Sequence, residues 1–411
     1  MWKLLAYHRT RAGNLDKPNK ATIATMLAGM CTFLNVYSTQ PLLPLLRQVF
    51  HASEFAVSLT VSATIFATAV TAPIIGMIAE RRGRKKVIVP SLFLISVPTA
   101  FAATSTSLRA LIFWRFAQGL FVPGVIAVIL AYVNEEWEGR SVGRAMSSYV
   151  AGTVLGGFLG RFLSGMIATH WNWRATFVVL AILNLLGAML VRSWLPLAKK
   201  FKRAEDLGQV LGHAKNHLRN PRLLANFGMG ATVLMALVGC FTYANFYLAG
   251  PPFHLNSAQL GSIFFVYLLG VVITPQAGRF LDRFGFRRTS VLYCGMMIAG
   301  LLLTLIHSLP AVVAGLGVFS SGVFIAQAAA TVQTGVIAGR ARSSAAGLYV
   351  TFYYLGGTVG ATVTDWFWRH AGWSGCVALL GGVSIASVLL ARASSWPQEQ
   401  LDTSEIELVG G

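Results

Sequence analysis

Apolar stretches about as long as a membrane-crossing helix follow one another along almost the whole chain. A helix needs about 20 such residues to cross a bilayer core about 30 Å thick. With 55% hydrophobic and only 11% charged residues among 411, and a mean hydropathy of +0.63, the chain has too few polar residues to cover a water-soluble fold. We therefore predict an all-α integral membrane protein with twelve transmembrane helices. The predicted spans lie near 21–46, 55–79, 87–106, 108–133, 141–168, 173–195, 222–249, 258–281, 288–307, 310–338, 343–369 and 372–394.

The basic residues are distributed unevenly between the two sides that these spans define. With the N-terminus inside, the inner loops and tails hold 27 of the 33 Lys and Arg, and the outer loops hold four. The positive-inside rule then places both termini in the cytoplasm, and we expect a multi-pass protein of the cell inner membrane. A net charge of +19 could also indicate nucleic-acid binding. Because this charge is spread over seven short segments, we expect no nucleic-acid partner.

One short charged loop is written twice, 202 residues apart, as GMIAERRGRKK and GRFLDRFGFRR. Each copy lies between two predicted spans on the cytoplasmic side. Gly83 and Gly285 permit the positive φ of a tight turn between antiparallel helices. The matched positions are Gly76, Glu80, Arg81, Gly83 and Lys85 in the first copy, and Gly278, Asp282, Arg283, Gly285 and Arg287 in the second.

Two further segments repeat and extend the internal symmetry to both halves of the chain. Residues 35–41 match 245–251, and the Tyr and Gly positions of 149–160 match those of 349–360. Six spans per repeat make the repeats parallel, so we predict two pseudo-symmetric six-helix bundles that can rock about a central site. The predicted parts are a cytoplasmic tail 1–20, a bundle 21–195, a cytoplasmic linker 196–221, a bundle 222–394 and a cytoplasmic tail 395–411.

Together these motifs resemble the major facilitator superfamily (MFS), and within it the twelve-helix drug/proton antiporter-like bacterial exporters. The resemblance covers about 20–395 and is carried by the doubled loop, by Arg115 three residues before Gln118-Gly119, and by the glycine-rich fifth span. Two positions depart from the family's signature in that span. Gly157 stands where proline is usual, and Arg161 stands where another glycine is usual.

The resemblance implies a secondary active transporter that works by alternating access. It also implies that the loop carboxylates latch the bundles together on the cytoplasmic side. Glu80 would then meet the start of the eleventh helix near Arg342 and Ser343, and Asp282 would meet the start of the fifth near Arg140 and Ser141. The alternative is a loop that only obeys the positive-inside rule.

Arg115, Arg161 and Asp365 are charged residues inside predicted spans, where charge is costly and often functional. They are therefore the candidates for coupling or anion binding. Each has a plainer interpretation. Arg115 could snorkel to the outer interface, Arg161 could tie helices together through carbonyls, and Asp365 could be interfacial beside Arg369.

Helices one, four, seven and ten line the central cavity in the family, so their polar and aromatic residues are substrate candidates. Amides and phenols among many phenylalanines suit an amphipathic solute. Polar residues also bridge helices within a bundle, which is the alternative for each. The candidates are Asn35, Tyr37, Gln40, Gln118, Tyr243, Asn245, Tyr247, Gln327 and Gln333.

The sequence contains no phosphate-binding GxxxxGK[ST] loop, no zinc-binding HExxH and no GxSxG nucleophile elbow. We expect no enzyme activity, metal or cofactor, and the proton gradient as energy source. The expected partners are a small-molecule substrate, protons and the lipid bilayer, with the chain a monomer. We expect proton-coupled efflux of amphipathic compounds or drugs. The alternatives are a carrier for an anionic or sugar-like metabolite that uses Arg115 and Arg161, and a non-transporting receptor on the same fold.

Overall fold

The computed structural model describes residues 20–137, 140–198, 207–339 and 342–395. Across these ranges the regular structure is helical, with no strand. Eleven of the described helices are long and apolar enough to cross a membrane, and the last of them has 51 residues. That helix is broken at Gly372, where φ is 60° and ψ is −146°. Divided there, the chain has the twelve predicted spans, and the all-α membrane fold is confirmed.

The spans are labelled α1 to α12 in chain order. α1 contains Lys20–Val36, a 3₁₀ turn at Gln40–Leu42 and Leu43–Phe50; α2 is Glu54–Arg82, α3 is Lys85–Ala102, α4 is Leu108–Gly119 with Pro123–Glu136, α5 is Arg140–His170, and α6 is Trp173–Trp194. α7 is Pro221–Ala249; α8 contains Ser257–Ile263, a 3₁₀ stretch at Phe264–Leu268 and 269–284; α9 is 286–303, α10 is Leu309–Ala338, α11 is 342–371 and α12 is 373–394. A short helix at Leu207–Arg219 lies in the predicted linker.

The chain divides into two compact units. The N-terminal unit comprises the described residues of Met1–Glu205 together with Ala244–Val271, and the C-terminal unit those of Asp206–Tyr243 together with Val272–Gly411. The first unit therefore contains α1 to α6 and also the junction between α7 and α8. The bundle and linker boundaries inferred from the repeat stay a prediction.

Glycines bring helix backbones into direct contact in both units. A Cβ atom on Gly156 or Gly160 of α5 would lie 2.2 Å from a backbone oxygen of α1, well inside contact distance. At the repeated positions of α11, a Cβ on Gly356 or Gly360 would lie 2.0 or 2.3 Å from a backbone oxygen of α7. Small residues thus allow close approach of the helix backbones in each repeat.

A second glycine contact joins α5 to α8 within the N-terminal unit. A Cβ on Gly165 would lie 2.1 Å from the carbonyl oxygen of Ser257, and one on Gly261 would lie 2.8 Å from that of Arg161. The Ala258 amide donates to Thr169 Oγ1 at 2.9 Å. The start of α8 therefore packs closely against the second half of α5, beside Arg161.

Candidate functional site

The first span is interrupted at residues 37–39, and we call residues 35–40 around this interruption the α1 break. The first helical part of α1 ends at Val36, and the 3₁₀ turn begins at Gln40. All six residues of the break are buried. A helix end leaves carbonyl oxygens without intrahelical partners, so this buried segment needs donors from elsewhere in the bundle.

Arg115 of α4 supplies many of those donors. Its side chain is 1% exposed, and its guanidinium donates to five oxygens, two of them carbonyls of the α1 break. Because most of the guanidinium's N–H groups are used in this way, Arg115 connects α4 to α1 and α2. Neither snorkelling nor an open charged site describes this geometry. The acceptors are Thr60 O at 3.1 Å, Asn35 O at 2.8 Å, Ser38 Oγ at 3.5 Å, Val36 O and Gln118 Oε1.

A buried network of amides and hydroxyls extends from Asn35 into the bundle. Asn35 Nδ2 donates to the Asn184 side chain at 3.2 Å, while Asn35 Oδ1 accepts from Thr99 at 3.2 Å and from Gln118 at 3.3 Å. Asn184 donates onward to Ser96 at 2.8 Å. The polar groups of Asn35 and Gln118 are thus used to bridge α1, α3, α4 and α6. A role for these two residues in binding substrate stays a prediction.

Arg161 of α5 has a different environment. It is 1% exposed; its Nε donates to Gln40 Oε1 at 2.7 Å and its Nη1 to the Gly157 carbonyl at 2.6 Å. Three aromatic rings face the guanidinium, and its Cζ lies 4.5 to 4.7 Å from their centroids. The structure thus brings Arg161 together with two predicted substrate residues, Tyr37 and Gln40. The three rings belong to Tyr37, Phe264 and Tyr267.

The aromatic box around Arg161 depends on the 3₁₀ stretch of α8. With three residues per turn, side chains at i and i+3 are eclipsed, so Phe264 and Tyr267 project from the same side of α8. Cation–π contacts favour a guanidinium over a ring face. The sequence contained no signal for these two residues, because aromatic side chains inside a continuous apolar run show no periodicity that marks one face.

Arg115 and Arg161, which are each 1% exposed, differ in the hydrogen-bond donors that remain unused. Of the five N–H groups of Arg161, two have acceptors, and both N–H groups on Nη2 have none among the described residues. No described carboxylate forms an ion pair with Arg161. The guanidinium therefore has no described carboxylate to compensate its charge, and several of its hydrogen-bond donors remain available to another group.

Asp365 of α11 is the remaining coupling candidate. It is 1% exposed and forms an ion pair with Arg369 one turn later, whose side chain is 59% exposed. Neither carboxylate oxygen has a partner in hydrogen-bond geometry among the described residues, so charge attraction holds this pair. Asp365 belongs to the C-terminal unit, whereas Arg115 and Arg161 belong to the N-terminal unit.

The other substrate candidates are dispersed along α7 and α10. Tyr243 is buried and donates to the Ala361 carbonyl at 3.3 Å, and Asn245 is buried. Tyr247 is half-buried, with its ring centroid 5.4 Å from that of Phe253. On α10, Gln327 and Gln333 are both half-buried, and Gln333 Nε2 lies 3.5 Å from the Ser394 carbonyl. Binding of substrate by these five residues stays a prediction.

The doubled loops have the same local geometry. Gly83 has φ of 93° and Gly285 has φ of 73°, so both turns use the positive φ that only glycine adopts freely. Lys85 Nζ donates to the Arg192 carbonyl at 3.0 Å and to that of Leu195, at the end of α6. Arg287, at the matching position, donates to the Ser395 carbonyl at 3.2 Å, just after α12. A base in each loop thus caps the last helix of its bundle.

An ion pair missed from the sequence also holds the first loop. Arg84 donates to both oxygens of Glu135 at the end of α4, with Nε distances of 3.1 and 3.2 Å. The family pattern leaves position 84 open, so it gave no signal for this pair.

The predicted latch residues are only partly described. Around the loops, Glu80 is half-buried and Arg81 and Arg283 are exposed, while a Cβ on Gly76 or Gly278 would meet nothing within 4 Å. The side chains of Asp282, Arg140, Arg342 and Ser343 lie outside the described residues. The latch contacts therefore stay a prediction.

Comparisons with known proteins agree with this architecture. An "Uncharacterized transporter" of Buchnera aphidicola subsp. Schizaphis graminum is 31% identical over 92% of both chains. The "Inner membrane transport protein YnfM" of Escherichia coli strain K12 is 31% identical over 90% of this chain and 89% of that one.

Solved structures share the fold. A bacterial homologue of the human lysosomal transporter Spinster, inward-facing and occupied, has a TM-score of 0.72 at 12% identity and covers 92% of this chain and 97% of its own. The E. coli xylose transporter XylE, inward open and partially occluded, has a TM-score of 0.71 at 15% identity. The match covers 93% of this chain and 99% of XylE. The family model of the Major Facilitator Superfamily matches residues 25–251 and 233–405. The chain therefore belongs to the Major Facilitator Superfamily and is a membrane transporter, not an enzyme.

Proposed function

We propose that this transporter carries a small organic anion by alternating access, and that Arg161 binds the negative charge. The observation that carries the proposal is a fully buried guanidinium that forms no ion pair with a described carboxylate and whose Nη2 has no described acceptor. Taking a cation out of water costs several kcal/mol unless a partner compensates it. An anionic substrate would be that partner during part of the transport cycle.

The geometry of the two arginines supports this choice. Arg115 donates to five oxygens of its own bundle and has little capacity for a ligand. Arg161 makes two hydrogen bonds, and three aromatic rings exclude water around it. A charge-assisted bond formed in such a site is stronger than one formed in water. Of the two alternatives for Arg161, an anion site accounts for the unused donors, whereas a tie between helices does not.

The test is flux of radiolabelled acetate, benzoate and succinate into proteoliposomes that contain the full chain. We expect saturable uptake of at least one anion, and its loss in Arg161→Gln and in Gln40→Glu. The second variant supplies a carboxylate next to Nε without removing the arginine, so it compensates the charge internally. The matched control is Arg109→Gln, which removes an exposed arginine of α4. Anion uptake that persists in both site variants, or that is absent from the wild type, would refute the proposal.

Proton-coupled efflux of amphipathic compounds or drugs is the second candidate function. The observation that favours it is Asp365, a carboxylate 1% exposed inside a span. Intramembrane carboxylates commonly serve as proton relays in transporters. A lipophilic cation expelled from proteoliposomes under an imposed pH gradient, in the wild type but not in Asp365→Asn, would support this function. Cation movement that ignores the gradient would exclude it.

We further propose that the loop carboxylates Glu80 and Asp282 latch the cytoplasmic side, and that both termini of the monomeric chain are cytoplasmic. The matched turns at Gly83 and Gly285 support an equivalent role for the two loops. If Glu80→Gln combined with Asp282→Asn left transport and the balance between inward and outward states unchanged, the latch would be excluded. Labelling of a cysteine added at each terminus, from either side of the membrane, tests the orientation.

A further inference from the structure

We infer that the anion bound at Arg161 is a monocarboxylate with an apolar or aromatic body, and not a dicarboxylate or a phosphate ester. The inference rests on the proposed function, because it names the substrate class of the same site. It follows from the number of available charges, the position of the unused donors and the character of the surrounding side chains.

The region offers one guanidinium with several unused hydrogen-bond donors. In the described part of the N-terminal unit, the other buried arginines are already used: Arg115 binds five oxygens of the bundle, and Arg84 is paired with Glu135. A second anionic group carried to Arg161 would find no second guanidinium with several unused donors among these residues. An uncompensated buried charge is strongly unfavourable, so the site selects a singly charged anion.

The unused donors suit a carboxylate. Nε and one hydrogen of Nη1 are occupied by Gln40 and Gly157, which leaves the second hydrogen of Nη1 and both hydrogens of Nη2. Donors on neighbouring nitrogens of the planar guanidinium form two parallel bonds with the two oxygens of a carboxylate. Since ring faces already lie against the guanidinium, an acceptor must approach along the donor directions that the rings leave uncovered.

The surroundings of Arg161 are aromatic. Phe158 lies one turn before Arg161 on the same side of α5. Its ring centroid is 5.5 Å from that of Phe162 and 4.5 Å from that of Phe265 in α8. Phe162 is half-buried and Phe265 is 51% exposed, so this aromatic cluster has an accessible surface. Such rings stabilise an apolar body by burial and by stacking, and they offer nothing to hydrate a sugar or a second carboxylate.

The experiment measures binding to the purified full chain in lipid nanodiscs by titration calorimetry. Its probes form two matched sets: benzoate, phthalate and the neutral benzamide share one aromatic body, and hexanoate and adipate share one chain length. We expect benzoate and hexanoate to bind at least about ten-fold more tightly than phthalate and adipate, and benzamide not to bind saturably. Arg161→Gln should abolish binding of all anions, while Arg109→Gln should leave it unchanged.

A second variant tests the contribution of the apolar body without removing the charge. Phe265→Ala alters a side chain that is 51% exposed, so the fold tolerates the change. We expect this variant to bind benzoate several-fold more weakly than the wild type and to bind acetate with unchanged affinity. A benzoate affinity equal to that of the wild type would overturn the aromatic part of the inference. If phthalate and adipate bind as tightly as their monoanionic partners and Arg161→Gln abolishes both, the substrate class is wrong but the anion carrier stands. If no anion binds, or binding survives Arg161→Gln, the inference and the proposed function fail together.

Discussion

Replacing each buried arginine by methionine should separate a structural role from a binding role. Arg115 and Arg161 are each 1% exposed, so both substitutions remove a similar desolvation cost of a buried charge. This contribution to the free energy of unfolding therefore cancels when the two variants are compared. What differs is the set of groups that each substitution leaves without a partner. The prediction is therefore a difference between two variants in the same assay.

Arg115→Met leaves polar groups orphaned in the bundle. The Val36 carbonyl at the α1 break and the Gln118 side-chain oxygen both lose the donor that Arg115 supplies. A buried acceptor without a partner costs about 1–3 kcal/mol. Arg161→Met leaves three aromatic rings, which pack favourably against a thioether, and removes one donor from the Gln40 side-chain oxygen. We therefore expect Arg115→Met to lose more free energy of unfolding than Arg161→Met, by at least about 1–3 kcal/mol, the cost of one further orphaned acceptor.

The assay is reversible unfolding in mixed detergent and SDS micelles, followed by circular dichroism, with anion binding measured on the folded fraction. Arg115→Met should unfold at a lower SDS fraction and still bind anion where it is folded. Arg161→Met should unfold closer to the wild type and bind none. Equal destabilisation by both substitutions, or loss of anion binding in both folded proteins, would refute the distinct roles assigned to the two arginines.

Three further experiments test the helix packing beside the site and the contacts of the first charged loop. Gly160→Ala places a Cβ 2.2 Å from an α1 backbone oxygen and should lower the free energy of unfolding by about 1–3 kcal/mol in the same assay. The control is Gly143→Ala on the same helix, whose Cβ meets nothing within 4 Å; it should be neutral or stabilising. Lys85→Met removes the cap at the end of α6 and should cost about 0.5–1.5 kcal/mol, seen as faster hydrogen exchange of that helix end. Arg84→Glu and Glu135→Arg should each destabilise, and the double exchange should recover at least half of the summed loss; no recovery would mean that the pair contributes nothing.

The parts of the structure that follow from length and residue size were predictable. Twelve apolar runs identify twelve spans because a bilayer sets a minimum helix length. The repeated glycines are typical of helices that pack closely, but the partners of α5 and α11 were found only in the structure. The α1 break was not predicted, because residues 35–40 lie inside the predicted span 21–46 and their polar side chains were interpreted as substrate candidates. Its position depends on two arginines from other helices. Arg115 donates hydrogen bonds to two of its carbonyl oxygens, and Arg161 donates one to the side-chain oxygen of Gln40. Contacts of this kind are set by tertiary packing and leave no local pattern.

The two copies of the repeated segment show where the halves of the transporter differ in chemistry. Residues 35–41 and 245–251 share their Asn, Tyr and Pro positions, and each follows a helix packed on glycines. In the N-terminal unit two arginines donate to the first copy. At the positions that correspond to those arginines, the C-terminal half has Val318 and Ala361, and the carbonyl of Ala361 accepts from the Tyr243 hydroxyl. Features present in both halves, such as the glycine contacts and the capped loops, fit a motion that both bundles would share. The two buried arginines occur in one half only: Arg115 uses its donors within the bundle, whereas Arg161 has donors left, so our proposal assigns recognition of the solute to Arg161.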